Sequence, residues 1–271
     1  MSIVINNYKE FSRLLVASKE LDPMYDFMYN TRVHLGPEWT QRFALHLFMF
    51  YDADGAARCA KQSDHNTFWD FVVCDYPVAK RGTERRHFRG ANGMNAVEAL
   101  SKHGTPDRIW NKLSSSSYSE LVWTVTNQFQ GCQIGPYFMW KLMDILDRCL
   151  GTPVDILPND ILNHLPEAPR DAAKTLWPND NLMVVMDRVR HCVEDLTAPG
   201  EPNVDCGYPE AETILCALKG YLKGTYHIGS DIIRRHNELK GHPDLLKYLP
   251  PKLDWKQYVR PKDLDTTQLS A

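Results

Sequence analysis

The sequence predicts an all-α protein, and three observations carry that expectation. Apolar residues recur in steps of three and four through most of the chain. Several of these stretches open on a capping residue or a glycine followed directly by a proline, the pattern of a helix first turn. No alternating run of convincing strand length and no internal repeat is present. The 271 residues, 43% hydrophobic and 24% charged, are enough for a sizeable core. The expected organisation is one helical domain over residues 1–250, with the Pro/Gly-rich segment 197–209 as the candidate subdomain boundary and 251–271 as a tail.

Residues 6–20 place Phe11, Leu14 and Leu15 on one helical face, and Asp22-Pro23 opens a second helix toward Arg32. Gly36-Pro37 opens a third, whose stripe of Trp39, Phe43, Leu47 and Phe50 is apolar enough for the central core. Asp64 to Tyr76 is aromatic, and its period does not decide between helix and strand. Helical character resumes over Asn92 to Ser101 and again after Thr105-Pro106-Asp107. The serine run 114–117 is a loop, with Ser117 and Glu120 as a capping pair for a helix over 118–130. Gly131 to Asp155 then gives a tight turn, a helix opened by Gly135-Pro136 with Phe138, Leu142, Ile145, Leu146 and Cys149 on its apolar side, a stop at Gly151-Thr152-Pro153, and a carboxylate. A capped start at Asn159 or Asp160 is followed by a Pro-rich interval, a strong helix over Asn179 to Leu196, another over Glu210 to Leu222, and a short charged one over Asp231 to Leu239. The residues after Pro261 carry no core signal.

The net charge of −3 gives no global attraction to nucleic acid, so any anion site must be a local patch. The seven cysteines include no C-x-x-C pair, and the ten histidines are scattered without zincin spacing, so no metal site is expected. A reducing compartment suits that cysteine pattern. The opening residues lack the apolar core of a signal peptide, and no apolar run is long enough to span a membrane. A P-loop, a G-x-G-x-x-G turn and a G-x-S-x-G elbow are all missing.

Three constellations remain. The first is the stretch Gly131–Asp155. A turn at a helix start directs backbone N–H groups outward, as an anion-binding device does, and a carboxylate lies just beyond. The plain alternative is a core helix followed by a surface Asp. The second is the basic run from Lys80 to Gly90, where Arg81, Arg85, Arg86 and Arg89 fall within nine residues with His87 among them and glycines at 82 and 90. Guanidinium forks bind phosphate oxygens bidentately, and glycines admit backbone N–H groups to the same anion. The third is Glu212 to Asp231, where Glu212 and Lys219 lie near one helical face and Gly224 and Gly229 bracket a Tyr226-His227 loop fit to hold a small substrate. A helix–loop–helix corner is its plain alternative.

Gly135 to Asp155 also resembles the helix-hairpin-helix and trailing Asp of DNA glycosylases, without the hairpin lysine of the lyase-type enzymes or the cysteines of their iron–sulfur cluster. Three blocks together resemble one glycosylase-derived family of bacterial viruses, the amino acid:DNA transferases, also called alpha-glutamyl/putrescinyl thymine pyrophosphorylases. They are R81-G-T-E-R-R-H-F-R-G90, I134-G-P-Y-F-M-W-K141 with Asp144 and Asp155, and E212-T-I-L-C with G224-x-Y226-x-x-G229-x-D231. The resemblance implies a helix-hairpin-helix glycosylase-like fold and a reaction on virus DNA in the cytoplasm of the infected host. There an amine from an amino acid or polyamine replaces the pyrophosphate on a 5-hydroxymethyl group of a thymine-type base. No cofactor is implied. Under this resemblance Arg81, Arg85, Arg86, His87 and Arg89 take the pyrophosphate. Asp155 or Asp144 serves as the catalytic carboxylate. Gly135 with Tyr137, Phe138 or Trp140 grips the DNA or stacks against a flipped base. Lys141, Lys219 or Arg32 takes the amino-acid carboxylate, beside Glu212, Tyr226 and Asp231 as further substrate-binding residues. The rival expectations are a monofunctional glycosylase using the same Asp155 and a non-catalytic DNA-binding partner of a 5-hydroxymethyluracil DNA kinase.

Overall fold

The computed structural model describes residues 3–5, 7–80, 88, 90–254 and 258–259. Among the described residues the regular elements are helices, apart from a two-residue parallel pairing of β1 (Ile3–Val4) with β2 (Tyr258–Val259). In chain order the α-helices are α1 (Tyr8–Ala17), α2 (Pro23–Leu35), α3 (Pro37–Phe50), α4 (Ala53–Gln62), α5 (Phe68–Asp75), α6 (Gly90–Ser101), α7 (Pro106–Leu113), α8 (Tyr118–Gln128), α9 (Pro136–Asp144), α10 (Pro158–His164), α11 (Glu167–Leu176), α12 (Leu182–His191), α13 (Tyr208–Leu222) and α14 (Ser230–Glu238). The chain forms two compact units. One comprises Phe27–Asp155 with Asn237–Tyr248; the other comprises Met1–Asp26, Ile156–His236 and Leu249–Ala271. The chain passes between them within α2, after Asp155, within α14 and after Tyr248, and residues 197–209 lie wholly in the second-mentioned unit.

The unit around Phe27–Asp155 is built on α3. Gly36, at φ 93°, precedes Pro37 in the first turn, and Tyr51 ends the helix in a left-handed conformation. From Arg42 to Phe50 every α3 residue is buried. α4 packs along α3 through Ala53, Ala56, Ala57 and Ala60. At Gly55 a Cβ would stand 2.9 Å from His46, so the small residues set how near the two helices approach. α7 packs on α3, α8 on α7, and α9 on α8. The aromatic stretch 64–76 resolves as helix, α5, rather than strand.

The other unit is built on α13, against which α1, α11 and α12 pack. Tyr8 meets Trp177 edge-on and Phe11 lies on Tyr221. The Pro/Gly-rich segment after α12 folds back on itself, with Ala198 N–H bonded to Val204 and Cys206 N–H to Leu196.

Candidate functional site

Gly131 to Asp155 folds as a turn, a helix and a pinned loop. Gly131 (φ 82°) and Gln133 (φ 55°) adopt left-handed backbone that reverses the chain between α8 and α9. The Gln133 side-chain amide donates to the carbonyl of Asn92 at 2.9 Å, which ties the turn to α6. Gly135 precedes Pro136 at the start of α9 and supplies no capping side chain, and the space beside its Cα is open. The expected continuous helix instead widens into a π-helical segment, Ile145–Cys149, after Asp144. A π-bulge inserts one residue per turn and re-aims the side chains that follow it.

The loop after that segment is held at several points. Thr152 N–H donates to Leu146, and Val154 N–H donates to the Asp147 carboxylate at 3.3 Å. The other Asp147 oxygen takes Arg148, whose side chain is 4% exposed. Gly151 has φ 72°, and a Cβ there would strike the Arg32 guanidinium, so Arg32 from the end of α2 lies directly on this loop. Asp155 then enters a backbone bridge. Its N–H donates to Ser116 at 3.0 Å and its carbonyl accepts from Tyr118 N–H at 2.8 Å. The serine run and the trailing Asp therefore form one structure at the N-terminus of α8, with the Asp155 side chain exposed. Asp155 thus has a pinned backbone and a solvent-facing carboxylate.

Asp144 is of a different kind. It is 2% exposed and accepts from Lys141 Nζ at 3.0 Å one turn earlier. Two residues expected in separate roles, Lys141 and Asp144, thus meet each other. The aromatic candidates also divide. Trp140 and Phe138 are buried, Trp140 edge-on to Tyr118, and neither offers a face to a base, whereas Tyr137 is half-buried. Sequence reading overlooked Trp123 on α8, which is 60% exposed. The apolar faces of Leu121 and Val125 turn α8 inward and leave Trp123 outside, a signal present in the helical period.

Arg81, Arg85, Arg86, His87 and Arg89 lie outside the described residues. Their chain neighbour Phe88 is fully buried, with ring centroids 5.6 Å from Phe138 of α9 and 6.3 Å from Phe48 of α3. Tyr76 donates its hydroxyl to the Phe88 carbonyl, and the Phe88 backbone lies where a Cβ on Gly93 would fall. Phe88 thus packs on α9, the helix that follows Gly135.

The third constellation lies in the other unit. Glu212 is 3% exposed and accepts from the Thr213 hydroxyl at 2.9 Å. Lys219 forms an ion pair with Asp171 of α11. The Gly224–Gly229 loop folds back on α13 because Gly220 has no side chain: a Cβ there would stand 3.0 Å from Tyr226. Tyr226 and Asp231 converge on a residue that sequence reading did not single out, Glu20. Its carboxylate accepts from the Tyr226 hydroxyl at 3.1 Å and from the backbone N–H groups of Asp231 and Ile232 at 2.6 and 3.0 Å. Burial pushes the Glu20 carboxyl up to about 7, against the three hydrogen bonds that pull it down. Desolvation, then the Glu20 charge, raises the Tyr226 hydroxyl far above its usual range. Asp231 itself pairs with Arg234 at 3.0 Å. Among the described residues no group of three or more His, Cys, Asp or Glu side chains is placed to hold a metal ion, and no helix is long and apolar enough to cross a membrane.

Comparison with known proteins gives a consistent result. The family model described as amino acid:DNA transferase matches residues 14–225. A putrescinyltransferase of Delftia phage PhiW-14 is 28% identical over 262 residues, covering 89% of this chain and 82% of its own. A glycinyltransferase of Pseudomonas phage PaMx11 is 25% identical over 260 residues, covering 83% of this chain and 87% of its own.

Proposed function

The chain belongs to the amino acid:DNA transferase family, and from that premise we propose the reaction it runs: an amine attacks the methylene of a pyrophosphorylated 5-hydroxymethyluracil in DNA and expels pyrophosphate. The C–O bond to the pyrophosphate breaks with its electron pair on the leaving oxygen, a C–N bond forms, and the amine gives up one proton. The leaving group carries several negative charges, for which Arg81, Arg85, Arg86 and Arg89 with His87 are the proposed cations. Asp155 is the proposed proton acceptor, or the anion that stabilises positive charge growing on the methylene. The observation that supports this reading is the packing of Phe88, which belongs to the basic run in sequence, on Phe138 of α9.

The DNA-gripping element in this reading is the α8–turn–α9 pair, used as a glycosylase uses its hairpin. Gly135, beside which nothing stands within 4 Å, leaves room for a phosphate to approach the backbone. Tyr137 is the proposed stacking ring for the displaced base, and Trp123 a second aromatic contact on the same helical pair. Arg32 is the proposed charge partner for whichever substrate anion reaches the Gly151–Asp155 loop. Lys141, already engaged by Asp144, acts as a structural support to α9, and Asp155 is chosen over Asp144 because its side chain is open to substrate. Glu212, Lys219, Tyr226 and Asp231, all in the other unit, stand as further proposed substrate-binding residues.

The test is direct. The protein is incubated with DNA carrying pyrophosphorylated 5-hydroxymethyluracil and a mixture of amino acids and polyamines, and the digested nucleosides are weighed by mass spectrometry. The expected product is a nucleoside in which the amine has replaced the pyrophosphate, with the mass of 5-hydroxymethyldeoxyuridine plus the amine less one water. Release of free base would establish a glycosylase instead, and unchanged DNA that is nevertheless bound would establish a non-catalytic partner.

A further inference from the structure

Outside the groups already described, one pocket combines a cavity with a buried charge that lacks a full set of partners. It has a volume of about 230 Å³ and lies between the end of α1 and the folded-back segment after α12. Its walls include Val16, Ala17, Leu196, Ala198 and Pro202. At its polar end are Lys19 and Asp26. Lys19 adopts left-handed backbone (φ 59°) directly after α1. Its ammonium lies 3.1 Å from Oδ1 of Asp26, and the same oxygen accepts from Gly200 N–H at 3.4 Å. Oδ2 of Asp26 is buried and has no hydrogen-bond partner among the described residues. The opposite wall is a built surface: Thr197 and Asp205 pair across it, and Gly200 turns with φ 90°.

A carboxylate oxygen held out of water without a donor is unfavourable, and a cation that reaches it removes that penalty. Burial already raises the Asp26 carboxyl above its usual range, with Lys19 the main opposing influence. The pocket tolerates an ammonium on one oxygen and leaves the other unsatisfied. Its apolar walls suit a short methylene chain, and its volume exceeds that of a small amino acid or a four-carbon diamine. We propose that this pocket binds the ammonium group of the amine donor, a short primary alkylamine, through Asp26. The assignment rests on the transferase reading for its choice of ligand. Asp26 is a binding residue here; a diamine is held by its non-reacting end, and an amino acid by its single ammonium before it is deprotonated for attack.

The experiment is calorimetric titration of the full chain with putrescine, with glycine, and with glycolate, in which a hydroxyl replaces the glycine ammonium. It is paired with the amine KM of the transfer reaction. Wild type is expected to bind at least one of the two amines and not glycolate, and the tighter amine identifies the donor class. Asp26→Asn keeps size and the Gly200 bond but removes the charge, and is expected to weaken amine binding and raise its KM by about tenfold or more. Ala17→Phe, at an exposed wall position, is expected to weaken binding similarly while leaving Asp26 and the thermal midpoint unchanged. Amine binding that ignores both variants, or equal binding of glycine and glycolate, overturns the proposal. The two readings fail separately. Transfer with an amine KM insensitive to Asp26→Asn sinks the pocket and spares the transferase. Amine binding lost in Asp26→Asn, with no transfer from any donor in wild type, upholds the pocket and sinks the chemistry.

Discussion

Replacing Asp147 by alanine removes the side chain that links the π-helical segment to the Asp155 loop. One Asp147 oxygen takes the Arg148 guanidinium and the other the Val154 N–H. Arg148 is 4% exposed and Asp147 13%, so the variant takes one carboxylate partner away from a buried guanidinium. Loss of one partner of a buried pair costs about 3 kcal/mol, and the Val154 bond adds about 1. Of that, 3 kcal/mol alone corresponds to a fall of roughly 5 °C in Tm for a chain of this length. The functional effect is separate: Val154 immediately precedes Asp155, and a misplacement near 1 Å at a reacting group lowers turnover by on the order of a hundredfold. Urea unfolding measures the first effect and single-turnover transfer the second. Asp147→Asn, which can still accept from Val154, should lose stability while keeping most turnover. A double variant with Leu at 147 and Met at 148 removes both charges and should recover much of the stability without the activity. If Asp147→Ala unfolds at the wild-type urea midpoint, or turns over at the wild-type rate, the loop is not held in the way described.

Four further outcomes are expected. Asp155→Asn should lower turnover by about 10²–10⁴ while DNA affinity, read by fluorescence anisotropy, stays near wild type; an equal loss of both would make the residue a DNA contact. Alanine at Arg85 and Arg86 together should damage turnover more than DNA binding, whereas equal losses would mean that the basic run only holds the backbone. Trp123→Ala should weaken DNA binding by about 1–3 kcal/mol without changing the melting temperature, and unchanged affinity would remove it from the interface. Glu20 makes stability depend on pH. Because its folded-state value is raised to about 7, the folded state holds the proton more tightly, so stability is full below the ordinary glutamate range and falls as pH rises through 7. The loss is on the order of 3 kcal/mol, and Glu20→Gln should abolish this slope; parallel wild-type and variant curves would refute the assignment.

Much of the helical order was legible because large apolar side chains recur at helical spacing, as Phe43, Leu47 and Phe50 do in α3. α4 was not legible. Its contact face is Ala53, Ala56, Ala57 and Ala60, which carry little hydrophobic signal but allow close approach. α11 was hidden by its own Pro169, which sits in the first turn and breaks nothing there. The π segment keeps the apolar period of the helix before it, so the widening had no mark in the sequence. At the site, the Gly135–Asp155 spacing singled out Asp155, and the structure adds what fixes it: Ser116, Tyr118 and Asp147. Glu20 could not be found by pattern, because its three donors lie 206, 211 and 212 residues away. Periodicity also failed to separate Trp140, which fills the core, from Tyr137 one turn earlier, which is half-buried.

Pyrophosphate release measured together with amine incorporation tests the central claim most directly. On DNA carrying pyrophosphorylated 5-hydroxymethyluracil, the account predicts one pyrophosphate released per amine joined to a base, and negligible release when no amine is present. Release that proceeds equally without amine, or amine-independent loss of the base, would contradict it.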